Sequence, residues 1–509
     1  MSALLVAVVA VPLLTALGLL LAGRRLPDRV AAGVATLAAA LTLELALWAV
    51  VEARPWASAA PALVVDVPWV PALGVRFHLG LDGVSAPLVV LTALLGLLVC
   101  GYTLVVRPRG GSVPALLACL LTVVGGALAT FLARDLLVFF IAFETVLVPM
   151  WFVVARWGDA AGSGPGRLRG PAARSDAAYR FVLYTALGSA VMLLGILLVA
   201  LRAGTTDLTD LAAARGAGLD AGTQVAAAAL LLTGLAVKVP AWPLHTWLPP
   251  AHTIAPTVGS VLLAGVLLKM GTYGMVRVAV PVVPDGVATL APGLAAVGVV
   301  GILWGGLACL VERDLKRLVA FSSVAHMGFV LVGIASGTPQ GLQGALFANV
   351  AHGVIAALLF LVVGGLKDRH RTSDLAGIGS GLRDRAPRLG WLLALGAVAG
   401  LGLPGLAGFW GELLVIWGAW DAPVLGAAGP WVAALAALGA ALAAAYLLRV
   451  LRAVWHGPRS GGPAVPDATG TEVAVTAPLV ALVLGLGLAP WLLLSLTAPV
   501  ASALLGGAP

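Results

Sequence analysis

Long apolar runs separated by short polar connectors rich in Arg, Asp, Gly and Pro make up most of this chain. A run of about 18 or more apolar residues coils into a helix that covers the roughly 30 Å hydrocarbon core of a bilayer. Within the runs the apolar positions are continuous rather than alternating, which selects helices over the strands of a membrane barrel. Fourteen spans are predicted, at about 2–22, 31–51, 84–106, 113–132, 136–155, 180–201, 224–247, 254–277, 288–311, 318–336, 342–366, 390–415, 430–451 and 473–497. The pattern therefore predicts an all-α integral membrane protein.

Composition agrees with the pattern: 61% of the residues are hydrophobic and 10% charged, against about 25% charged in soluble chains. The net charge of +8 would suggest nucleic acid on a soluble surface, but here it sits in membrane loops. With the N-terminus outside, 22 of the 30 Lys and Arg residues border cytoplasmic connections, 6 lie on the other side, and Lys238 and Lys269 fall inside spans. The positive-inside rule supports that orientation. The first segment lacks a positive region ahead of its apolar run and is followed by Arg24, Arg25 and Arg29, so it reads as a retained helix rather than a signal peptide. The connector at 156–179 is rich in Gly, Pro and Arg and reads as solvated. The loop at 367–389 contains a Gly-x-Gly pattern with no strand before it, which argues against a nucleotide loop. No stretch is suited to a soluble domain, which removes an independent NADH or flavin site from this chain. Cys100, Cys119 and Cys309 lie far apart without a CxxC spacing, so they read as small buried hydrophobes rather than ligands to zinc or an iron-sulfur cluster.

A charged side chain at the bilayer centre costs about 2.5–3.5 kcal/mol on insertion scales, so each one left in a span demands a partner or a function. Glu144 stands mid-span in ARDLLVFFIAFETVLVPMWFVV, well away from Asp135. Lys238 precedes Pro240 and Pro243, which remove backbone donors and predict a break beside the lysine. Non-helical backbone at membrane depth is tolerated only in protein or a wet cavity, and broken helices mark ion sites in transporters. Lys269 occupies the centre of TVGSVLLAGVLLKMGTYGMVR, beside Gly271 and Gly274, which permit close helix packing. Glu412 follows LGLPGLAGFWGE, where Pro404 and Gly405 predict a second break. His326 and His352 fall in later spans, and histidine can pass protons near neutral pH. His245 and His252 flank the first break, and Glu44 has no evident partner in sequence. No His-x-x-x-His or Glu-x-x-His spacing occurs, and interleaved lysines compete as cations, so a metal site is not expected.

The segments FETVLVPMW, KVPAWPLHTWLPPAHTIAPTVGSVLLAGVLLKMGTYG, DLKRLVAFSSVAHMGF and LPGLAGFWGE resemble the antiporter-like, proton-translocating membrane subunits of NADH:quinone oxidoreductase (respiratory complex I). The likeness runs from about residue 80 to 450 and is greatest to the M (chain 4) branch. It implies fourteen transmembrane helices with two inverted five-helix repeats, each containing a broken helix. The corresponding boundaries are 1–112 for the N-terminal helices, 113–278 and 279–452 for the repeats, and 453–509 for a cytoplasmic loop and the last helix. It further implies that Glu144 and Lys238 form a mid-membrane pair, that Lys269 is a central relay, that His326 and His352 bridge the halves, and that Glu412 is the terminal carrier. A glutamate at that last position, where sister L and N subunits and multisubunit sodium/proton antiporters usually have lysine, favours the M branch. The resemblance implies no redox or metal centre in this chain. NADH, FMN, iron-sulfur clusters and quinone belong to partner subunits, and L-like and N-like chains and lipid are the immediate neighbours. The implied setting is the inner (plasma) membrane of a bacterium, with both termini on the outer side. A subunit of a cation/proton antiporter or of a membrane-bound hydrogenase is the alternative reading.

Overall fold

The computed structural model describes residues 2–106, 110–159, 170–457 and 465–506. Residues 160–169, the middle of the Gly/Pro/Arg-rich connector, lie outside that set, as do 107–109 and 458–464 in two further connectors. Thirteen helices among the described residues are long and apolar enough to cross a membrane. The predicted span at 390–415 is broken into Pro387–Gly400 and Ala407–Trp420, neither of which is long enough alone. The multi-pass, helical architecture is thus as the apolar pattern predicts. Burial is graded: the helix Thr257–Val282 is wholly enclosed, whereas the first two helices are mostly on the outside. The three cysteines are free thiols, Cys100 and Cys309 buried and Cys119 half-buried.

Two departures from the predicted spans have local causes. The last span divides into Gly470–Leu488 and Trp491–Leu504 around Ala489 and Pro490. The connector after the second helix, unassigned by periodicity, forms an antiparallel hairpin of β1 (Leu63–Val70) and β2 (Val75–Leu81), turned by Gly74 at φ +67°. That hairpin docks on the ends of two spans. Arg134 N donates to His78 O at 2.8 Å, and the His78 ring lies 2.6 Å from Asp207.

An internal equivalence links opposite ends of the bundle. On the hairpin side, Asp135 caps the helix Leu136–Thr145 and accepts from Thr206 Oγ1 at 2.6 Å. Leu136 N donates to Thr206 O and Leu208 N to Arg134 O. On the other side, Asp314 caps Leu315–Ala335 and accepts from Ser373 Oγ at 2.7 Å, while Leu315 N donates to Ser373 O and Leu375 N to Arg313 O. The same Arg-Asp-Leu turn, locked by a hydroxyl and the same pair of backbone bonds, recurs at 134–136 and 313–315 on opposite sides.

Candidate functional site

The first break begins where predicted. The helix Ala221–Lys238 ends at the lysine, and the chain resumes helix only at Leu248–Ile254. With no amide from a next turn to serve it, the Val237 carbonyl accepts from the indole of fully buried Trp247 at 2.9 Å. Lys238 is 2% exposed, its ammonium has no hydrogen-bond partner among the described residues, and it sits 4.3 Å above the ring of Phe143. Glu144, next along the chain and half-buried, accepts from Ser189 Oγ at 2.5 Å. Glu144 and Lys238 are close enough to attract electrostatically, yet no direct ion pair joins them among the described residues. An aromatic ring supports the cation and a serine holds the anion, so the two charges stand near each other without a direct bond. Pro149 lies four residues after Thr145 and lacks the amide that its carbonyl would receive, which explains why this span is interrupted at Val146.

Lys269 is fully buried. Leu263–Leu267 forms a π-turn, which leaves a carbonyl without its usual helical donor. The Lys269 ammonium donates to Ala264 O at 2.6 Å and lies 2.6 Å from His352 Nδ1. Gly353 makes room, since a Cβ there would meet Leu91 Cδ2 at 2.6 Å and Lys269 Cε at 3.5 Å. One turn on, Thr272 donates to Asn349 at 2.9 Å, stitching the same two helices.

The His352 and His326 ring centroids are 5.6 Å apart. His326 Nδ1 lies 2.7 Å from Ser322 O, and its Nε2 lies 3.0 Å from Gly400 O and 3.7 Å from Glu412 Oε1. A neutral imidazole donates from one nitrogen only, whereas an imidazolium donates from both, so two carbonyls on one ring suit its protonated form. Gly400 ends the first half of the second broken helix, which frees its carbonyl for this contact. Glu412 is 6% exposed, and its Oε1 has no hydrogen-bond partner among the described residues. It borders a cavity of about 30 Å³ lined by His326, His352, Gly400 and Gly408, with room for roughly one or two waters. Lys269, His352, His326 and Glu412 thus form one line through the bundle, hydrogen-bonded from Lys269 to His352 and then spaced by 5.6 Å between the rings and 3.7 Å to Glu412, with His326 half-buried. Lys238 stands against the Lys269 helix, its Cβ close to Gly271, but no hydrogen bond joins it to that line among the described residues.

Of the other candidates, His245 Nε2 accepts from Trp304 Nε1 at 3.1 Å beside a cleft of about 470 Å³. His252 stacks on Phe360 at 4.5 Å with neither ring nitrogen paired among the described residues. Glu44 faces outward from its helix and joins no part of the line. Among the described residues no His, Cys, Asp and Glu cluster suits a metal ion. Sequence reasoning missed Ser189, Phe143, Asn349 and the Gly400 carbonyl. Only for Gly400 was there a signal, the Pro and Gly that follow it.

Residues 133–440 match the family described as NADH:quinone oxidoreductase/Mrp antiporter, TM. The chain belongs to this family. Every residue of the line, together with both breaks, falls inside the matched segment of the NADH:quinone oxidoreductase/Mrp antiporter family. NADH-quinone oxidoreductase subunit M of Rhodobacter capsulatus is 36% identical, covering 93% of this chain and 90% of its own length. NAD(P)H-quinone oxidoreductase chain 4 of a Synechococcus species is 40% identical over 83% of this chain and 78% of its own. A chain of respiratory complex I from Thermus thermophilus superposes with a TM-score of 0.85 at 32% identity, over 99% of this chain and 100% of its own length.

Proposed function

We propose that this chain is the M-type (chain 4) proton-translocating subunit of a NADH:quinone oxidoreductase. It moves protons outward across the bacterial inner membrane while partner subunits carry NADH, FMN, iron-sulfur clusters and quinone. The observation that carries the reading is the line of titratable side chains from Lys269 through His352 and His326 to Glu412, ending in an acid beside a water-sized cavity. Lys238 and Glu144 are the loading pair. With no contact bond to break, a small displacement changes their attraction: separation favours loss of the lysine's proton and gain of one by the carboxylate. Lys269 accepts the proton displaced toward it, His352 and His326 pass it laterally, and Glu412 releases it outside. The excess of basic residues on the other side supports taking the face of the hairpin and both termini as the outer one. The mirrored Arg-Asp-Leu turns support reading 113–278 and 279–452 as inverted units, between 1–112 and 453–509. L-like and N-like chains are the expected neighbours.

The test is proton pumping measured together with NADH-driven quinone reduction in membranes holding equal amounts of assembled wild type, Glu144→Gln and Glu412→Gln. Near-complete loss of pumping in both variants is expected. Wild-type pumping by both would overturn the assignment, and proton or sodium exchange without any effect on quinone reduction would favour a cation/proton antiporter.

A further inference from the structure

Two turns from Lys269 toward the hairpin, about 12 Å along the same helix, lies a second buried cluster that the relay does not use. Arg277 Nη2 donates to both oxygens of Asp82, at 2.7 and 2.6 Å, and Arg134 Nη2 donates to Asp82 Oδ2 at 2.6 Å. The three residues come from separate parts of the chain and are 5%, 1% and 6% exposed for Arg277, Asp82 and Arg134. Burial alone would push the Asp82 carboxyl upward, but Arg134 and Arg277 outweigh it and hold the group well below the usual carboxylate range. Tyr273 fills the turn between Lys269 and Arg277. Its hydroxyl donates to Phe131 O at 2.8 Å and accepts from Arg277 Nε at 3.2 Å, and Phe131 packs edge-on at 5.2 Å.

We infer that Asp82, Arg134 and Arg277 form a fixed-charge seal that closes the hairpin side of Lys269 to protons. The inference rests on the proton-relay reading above. Two guanidiniums face one carboxylate, so the layer keeps a positive charge. A guanidinium does not lose its proton in proteins and has no acceptor atom, so it cannot relay, and a fixed Arg beside a conduction path is a known physical means of excluding protons. Farther out, Asp135 and Asp207 are occupied by helix amides, Thr206, the Arg76 amide and the His78 ring. On the opposite side of Lys269 the buried polar groups are exchangeable. They are His252, with no ring partner among the described residues, then Lys316 and Lys367 paired with Asp159 at 3.4 and 2.5 Å. Lys269 is thus approached by exchangeable groups from one side and closed on the other by two arginines that keep their protons. A proton on it is steered sideways to His352.

The experiment measures passive proton leak in vesicles containing the assembled complex, under an imposed pH gradient without NADH, with a pH-sensitive dye. One charge at about 12 Å and an effective dielectric near 20 changes proton occupancy on the order of ten-fold. Arg277→Gln is expected to raise the leak by about that factor, Arg277→Lys to raise it little, and Arg134→Gln, on another chain segment, to repeat the effect should Arg277→Gln not assemble. Asp82→Asn breaks the same bonds but raises the layer's positive charge, so it is expected to leak no more than the wild type does. Wild-type leak in both Arg→Gln variants overturns the seal, as does leak in Asp82→Asn equal to that of Arg277→Gln, which marks a structural knot only. The double variant Arg277→Gln with Lys269→Ala separates the two readings. Suppression of the leak supports both, whereas an undiminished leak upholds the seal and counts against Lys269 as the relay.

Discussion

The Lys269 ammonium lies 2.6 Å from His352 Nδ1 and shares its remaining protons with the Ala264 carbonyl of a π-turn. Two groups that usually carry or gain positive charge meet inside the bundle. Because ammonium has no acceptor and His352 Nδ1 faces it, the contact is a hydrogen bond when the imidazole is neutral at that nitrogen. It is then set for transfer from lysine to histidine.

Lys269→Arg keeps the charge but supplies a group that does not deprotonate. Pumping by the assembled complex is expected to fall at least about ten-fold, a change of roughly 1.4 kcal/mol in the barrier. Dye-quench assays at equal complex content check this, and unchanged pumping would show that no proton leaves this position.

Gly402 stands in the second break at φ +74°, and a Cβ there would meet Glu412 Oε2 at 2.6 Å. Gly402→Ala is expected to cost about 1–2 kcal/mol for the left-handed backbone and to push the carboxylate from its cavity. Thermal unfolding of the purified complex reports the first effect. Pumping reports the second, and should drop more than quinone reduction does in uncoupled membranes.

Ser189 donates to Glu144, and Phe143 lies under Lys238. Ser189→Ala removes a hydrogen bond to a charged group, worth about 1.5–3 kcal/mol, and Phe143→Leu removes a cation–π contact worth roughly 2 kcal/mol when desolvated. Each is expected to slow turnover several-fold, with Ser189→Thr restoring most of it. Pumping rates of the four proteins decide whether these two side chains hold the loading pair in register.

Asp159 lies in a connector outside the spans and pairs with Lys316 and Lys367. Burial would push its carboxyl up, but the two ammoniums prevail and hold it below the ordinary 3.8. A depressed folded value means that the tether's contribution is present above the ordinary carboxylate pKa and lost as pH falls through the lower folded one. Amide hydrogen exchange at 156–159, corrected for intrinsic rates, is therefore expected to stay flat from about pH 7 to 5 and to rise only below roughly pH 4. Asp159→Asn should show the raised exchange, after correction for intrinsic rates, at every pH. Release between pH 7 and 5 in the wild type would disprove the tether.

Both broken helices were legible because Pro240, Pro243, Pro404 and Gly405 act locally on the backbone, wherever the chain goes next. Residues Glu144, Lys238, Lys269, His326, His352 and Glu412 were legible as anomalies, since an ionisable group in an apolar run violates the solvent preference of its own segment. The hairpin at 63–81 was not, being a short connector whose strands dock on Arg134 and Asp207.

By itself the sequence determined the membrane as solvent, the multi-pass helical architecture, and which side chains must be rescued from lipid. Those follow from hydropathy and from backbone chemistry along one segment at a time. Tertiary structure alone decided the partners. It set Phe143 rather than Glu144 against Lys238, Ser189 against Glu144, the Gly400 carbonyl against His326, and two arginines against Asp82. A span's composition states that its buried charge needs compensation, but the compensating atom comes from a different helix, and helix rotation and depth are settled by packing across the whole bundle.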